Sequence, residues 1–176
     1  MKTKRNALTL LQVVSLFCGI TICNADGFDS VRCGSDVRKA LIGRKMPNEK
    51  IVVLEERHKD LGLKDLGGSE ISDQLSIISW RICGEEYVLL EDKDVVRDVL
   101  KFPKHSKESP AFIGSCQLNG QDLPGTAIGV LKNEDGKILP AVSAWKIDEK
   151  QMKFVELKPE GLRCSRDGII TADGAL

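Results

Sequence analysis

An excess of basic residues is missing from this sequence, and past residue 25 so are close cysteine pairs and any long apolar run. Zinc sites bring two cysteines within a few positions and redox dithiols use C-x-x-C. The nearest two of Cys33, Cys83, Cys116 and Cys164 are 33 positions apart, so both chemistries drop out. Basic and acidic residues balance at 26 each, which argues against nucleic acid or an anionic membrane surface as a partner. A membrane-spanning helix needs about 20 predominantly apolar residues, and nothing after residue 25 qualifies. Catalytic signatures are missing too. There is no G-x-S-x-G; Leu66-Gly67-Gly68-Ser69 lacks the spacing of a phosphate loop; Asn133-Glu134-Asp135-Gly136 lacks the ligands of a calcium loop.

What is present begins with an export layout. Lys2, Lys4 and Arg5 precede an apolar stretch from Ala7 to Cys23, interrupted only by Thr9, Gln12, Ser15, Gly19 and Thr21. That is the pattern of a signal peptide, with cleavage expected before Asp26. A lipid anchor on Cys18 or Cys23 would need a small residue before the cysteine, where Phe17 and Ile22 stand. The expected organisation is a cleaved signal peptide over 1–25, a single globular domain over 26–164 and an irregular tail over 165–176. Removing 1–25 takes three positive charges with it, so the 26 basic residues fall to 23 against 26 acidic ones. The mature chain is then mildly acidic, soluble, and secreted or periplasmic, with no stable membrane insertion.

Processing also removes Cys18 and Cys23, leaving four of the six cysteines. An even number in an exported chain favours disulfides, here two. Cys33 to Cys83 and Cys116 to Cys164 span 50 and 48 positions, and this near-equal spacing favours that sequential pairing. A crossed or nested pairing, such as one joining Cys33 to Cys164, remains open on physical grounds.

The fold class expected is α+β: one domain with a mainly antiparallel sheet of five or more strands, one short N-terminal helix and two disulfides. Ser35 or Asp36 can cap a helix whose apolar face is Val37, Ala40 and Leu41, and Gly43 can close it. Lys50–Arg57, rich in β-branched residues, reads as a strand, with a short helix as the alternative for so brief a run. Lys59-Asp60-Leu61-Gly62 and its near-repeat Lys64-Asp65-Leu66-Gly67 read as a loop or tight turns. Leu75–Cys83 alternates, with Ile78, Trp80 and Ile82 on one face, and returns through Gly84 into Tyr87–Glu91 as a hairpin. Asp94–Phe102 reads as a strand or an amphipathic helical piece, and Pro103–Pro110 as a polar loop. Phe112–Leu118 is a strand ending in the turn Asn119-Gly120. Thr126–Lys132 and Lys137–Ile147 form a hairpin, Pro140 marking an edge or a bulge, with Met152–Leu157 as the next neighbour.

Candidate functional residues are few. Glu55-Glu56-Arg57-His58-Lys59-Asp60 is the densest titratable run and holds one of only two histidines. Glu55, His58 and Asp60 are therefore the candidates for acid–base hydrolysis. A single E-x-x-H without long facing helices argues against a di-metal centre, and no cofactor or metal is expected. Trp80-Arg81-Ile82 and Trp145-Lys146-Ile147 each precede an acidic turn and a strand. They make Trp80 and Trp145 candidate binding aromatics, set against a plain alternation of core and solvent faces. The resulting expectation is a binding, inhibitor or immunity-type domain that contacts another secreted or envelope protein. A small extracytoplasmic hydrolase and a structural envelope component are the alternatives.

Overall fold

The computed structural model describes residues 26–170; the signal peptide expected over 1–25 and the last residues, 171–176, lie outside them. The described chain starts at Asp26, whose carboxylate caps a 3₁₀ turn over Gly27–Ser30 and buries Phe28 beneath it. Asp36 then caps α1 (Val37–Leu41) by accepting from the Lys39 N–H at 3.1 Å, as its sequence anticipates. Residues 43–46 run along the edge of the first sheet. There the Gly43 N–H donates to Val96 O at 2.8 Å and the Met46 N–H to Asp94 O at 2.7 Å.

Lys50–Arg57 is not a strand. Ile51–Arg57 forms α2, so the chain has two α-helices among the described residues where one was expected. The reason lies in the period over a longer window. Leu54, His58 and Leu61 are 4%, 6% and 3% exposed, and their spacing of four then three residues is that of a helical stripe. A strand's period of two would have sent Val52 and Glu56 inward with Leu54; both are exposed. The two Lys-Asp-Leu-Gly copies also part company. The first is a 3₁₀ turn, Lys59–Leu61, closed by Gly62 at φ 57°; the second lies within a strand.

That strand is β1 (Lys64–Glu70), the first of a four-stranded antiparallel meander with β2 (Leu75–Ile82), β3 (Glu85–Asp92) and β4 (Val95–Lys101). Its two tightest hairpins turn on Cys83-Gly84 (φ 53° and 81°) and Lys93-Asp94 (φ 50° and 66°). Positive φ at both central residues suits the twist of the flanking strands. β2 and β3 are apolar on both faces because both faces are covered. Ile78, Trp80, Ile82 and Leu89 pack under the N-terminal segment with Phe28, Leu41 and Leu54. Leu75, Ile77, Val88 and Leu90 pack against the second sheet through Ile128, Val130 and Ile147. Each fully buried side chain of this size contributes about 1.5–3 kcal/mol.

The second sheet comprises β5 (Ala111–Gly114), β6 (Cys116–Leu118), β7 (Gln121–Asp122), β8 (Ala127–Leu131), β9 (Ile138–Asp148), β10 (Lys153–Leu157) and β11 (Leu162–Ser165). Its order is β5-β8-β9-β11-β6-β7, and β10 also pairs with β9. Only Ser115 separates β5 from β6, so a single run of chain serves both ends of the β5-β8-β9-β11-β6 path. Inside the curl lie Phe112, Leu131, Leu139 and Leu162. Pro140 is not on an edge strand: β9 has neighbours on both sides. It does sit beside an irregularity, since the β8–β9 register shifts between Val130 and Leu131, and its carbonyl accepts from Lys132 at 2.9 Å. Residues 165–170, expected to be irregular, are held in place. Arg166–Gly168 make a 3₁₀ turn, and the Ile170 N–H donates to Ala111 O at 3.0 Å.

Two disulfides join Cys33 to Cys83 and Cys116 to Cys164. The first ties the N-terminal segment to the β2–β3 turn, and the second links directly opposed residues of β6 and β11.

Candidate functional site

The titratable run singled out in the sequence does not converge on a pocket. His58 faces the core, its Nε2 2.9 Å from Asp26 Oδ2, and its ring lies 5.6 Å from that of Phe28. Arg57 Nη1 donates to the same oxygen at 2.8 Å, and its other nitrogen reaches Glu49. Asp26 Oδ1 accepts from the backbone of Phe28 at 2.8 Å and of Asp29 at 3.1 Å. Burial pulls the Asp26 carboxyl upward, but the hydrogen bond and charge of His58, with Arg57 and the backbone N–H, hold it below its ordinary value. Asp26, Asp29 and His58 place metal-type ligand atoms within 4.8 Å of one another. Arg57 already supplies a positive charge to Asp26, and Asp29 is occupied by the Asp26 N–H, so these contacts form a structural network. Glu55 accepts from the Asp65 N–H at 2.9 Å and pins β1 to α2. Asp60 is exposed on the next turn. Glu55, His58 and Asp60 therefore have separate duties.

A cleft of about 260 Å³ opens beside Ile51 and Leu54 of α2. Its roof is Met46, Pro47, Glu49, Ile51 and Leu54, its floor Ile78, Trp80 and Glu91, and its side wall Asp65, Gly67 and Gly68. The glycines are dictated by geometry. β1 bulges between Asp65 and Gly68, Gly67 has φ 94°, and a Cβ on Gly68 would stand 2.5 Å from the Ile77 carbonyl oxygen. Trp80 and Glu91 reach the cleft because they lie on the same sheet face as Ile78 and Leu89, which packs under the N-terminal segment.

Polar chemistry on this floor is unfinished. Trp80 and Glu91 are each 3% exposed. Trp80 Nε1 and Glu91 Oε1 have no hydrogen-bond partner, and among the described residues only Ser79 Oγ shares that condition. Such atoms cost roughly 1–3 kcal/mol apiece when left unpaired. Burial, with a smaller contribution from Asp94, pushes the Glu91 carboxyl up to about 7. Three carboxylates line the cleft and no basic side chain does. Of the exposed β-branched residues of α2, Ile51 (48%) lines the cleft, whereas Val52 (67%) and Val53 (46%) face solvent outside its lining.

Trp145 is half-buried in β9, against the apolar layer between the sheets, and Trp80 lies in the cleft floor. Sequence reasoning missed Glu91. The signal was parity: in Tyr87-Val88-Leu89-Leu90-Glu91 the glutamate falls on the face of Leu89, opposite the strand that carries Trp80.

No known protein family, curated protein or solved structure matches the chain.

Proposed function

We propose that this protein is an exported binding domain that works through surface contacts with another secreted or envelope protein. The observation that carries this reading is the cleft itself. Two buried polar atoms lack partners beneath a helix that turns three β-branched residues to solvent. Exposed apolar residues on the helix that roofs a concave site are a common mark of recognition. Export is supported by the layout of residues 1–25 and by the two disulfides, which suit an oxidising compartment. No helix among the described residues is long and apolar enough to cross a membrane. The hydrolase reading loses support because His58 is engaged by Asp26 and Glu55 by Asp65.

The test compares capture of native periplasmic or culture-fluid proteins by the wild-type chain and by Val52→Asp. Val52 is 67% exposed, so a charge there leaves folding stability within about 0.5 kcal/mol. A specific partner retained by the wild type and lost by the variant is the expected result. Equal capture by both proteins would reject α2 as the recognition surface.

A further inference from the structure

The geometry points to the cleft beneath α2 as a receptor for a single lysine or arginine side chain of a partner protein, its charged head on Glu91 and its apolar stem along Trp80. This rests on the binding reading above and gives it a chemical class of ligand.

Size comes first. About 260 Å³ is several times the ~30 Å³ share of one water and falls below the ~300–1,000 Å³ of most small-molecule pockets. One long side chain is the right scale. Charge comes second. Glu49, Asp65 and Glu91 line the space without a basic neighbour in the lining, and Arg57 offsets only Glu49 among them. An anion would meet like charge at every wall. A purely apolar group would leave Glu91 Oε1 buried and unpartnered. An ammonium or guanidinium donates to that oxygen and makes the charge-assisted bond a buried carboxylate most needs. The apolar stem of the same side chain suits Met46, Ile51, Leu54 and Ile78, and Trp80 adds an aromatic ring to the same lining.

The second orphan decides between a free amine and a peptide. Trp80 Nε1 is a donor and requires an acceptor. An alkylammonium carries none, whereas a basic residue within a peptide brings a carbonyl of its own. The exposed Ile51, Val52 and Val53 then have the partner's neighbouring residues to cover.

Titration of the mature protein with blocked tripeptides, followed by the two tryptophan indole N–H resonances in a ¹⁵N correlation spectrum, tests this. Acetyl-Ala-Lys-Ala-amide and its arginine counterpart are expected to move the Trp80 signal saturably and leave that of Trp145 in place. Replacing the lysine with uncharged norleucine should weaken binding about 10-fold or more, the scale of a lost charge-assisted bond. Glu91→Gln should show the same loss while keeping a native spectrum. Norleucine and lysine peptides binding alike would overturn the proposal, as would a shift confined to Trp145 or no shift at all. Hexylammonium binding as tightly as the lysine peptide would overturn the peptide source. A native partner lost by Val52→Asp but indifferent to Glu91→Gln would leave the binding domain standing and refute the cation site.

Discussion

The backbone nitrogen of Asp26 donates to the Asp29 carboxylate at 3.0 Å, and the Asp29 nitrogen donates back to the Asp26 carboxylate at 3.1 Å. This capping box places the expected processing point against the folded domain. Cleavage before Asp26 makes its nitrogen a terminal ammonium, so the bond to Asp29 becomes an ion pair. Intact mass of exported material should begin at Asp26. Asp29→Asn should cost about 1 kcal/mol, and the loss in urea unfolding should be larger for the chain beginning at Asp26 than for one retaining Ala25. An equal effect in both chains would separate the capping box from maturation.

Glu91 should make stability fall between mild acid and neutrality. Its carboxyl rises from an ordinary 4.5 to about 7 on folding, so the folded state holds the proton more tightly than the unfolded one. The benefit is fully present below about pH 4.5 and is lost as pH rises through about 7, amounting to roughly 3 kcal/mol at 1.36 kcal/mol per pH unit. Glu91→Gln should match the wild type in urea near pH 4.5 and exceed it by about 1–3 kcal/mol near pH 8. A variant less stable than wild type near pH 8 would contradict the absence of a partner for Glu91. Asp26 acts in the opposite sense. Its lowered carboxyl supports the fold above the ordinary carboxylate range, and that support disappears as pH falls below about 3.8.

Asp98 holds three elements at once. It is 3% exposed and accepts from Arg38 of α1 at 2.8 Å, from the Val99 N–H at 2.8 Å and from the Phe154 N–H of β10 at 2.9 Å. Asp98→Ala strands the Phe154 donor and should cost about 2–5 kcal/mol in chemical denaturation. Arg38 is 61% exposed at its side chain, and Arg38→Ala should cost no more than about 1 kcal/mol. Equal losses would mean that the ion pair, rather than the buried backbone contact, carries the energy.

Each disulfide closes a loop of similar length, with separations of 50 and 48 residues. The chain-entropy account assigns about 4 kcal/mol to either one. The Cys33→Ser/Cys83→Ser and Cys116→Ser/Cys164→Ser double variants should therefore lose similar amounts of calorimetric stability. A large asymmetry would show that native-state contacts outweigh loop entropy at one bridge.

The first helix, the hairpins and turn residues such as Gly84 and Asn119-Gly120 were legible in the sequence because their signals are local: an Asp cap, alternation and turn-forming residues. α2 was not. Ile51, Val52 and Val53 favour strands by propensity, while the helical stripe becomes visible only when Leu61, beyond the run, is counted. The candidate site was half legible. Trp80 announces itself, but Glu91 matters only because Met46, Pro47 and Leu54 come across 37 or more positions to roof it, and no local pattern encodes that approach.

Neither covalent bridge crosses the exposed stretch from Lys104 to Glu108. A protease cutting there would leave two fragments, each with its own internal cross-link and its own sheet. The apolar layer between the sheets and the grip of Asp98 on Phe154 would keep them together. The protein is thus a natural candidate for reassembly from two separately expressed pieces.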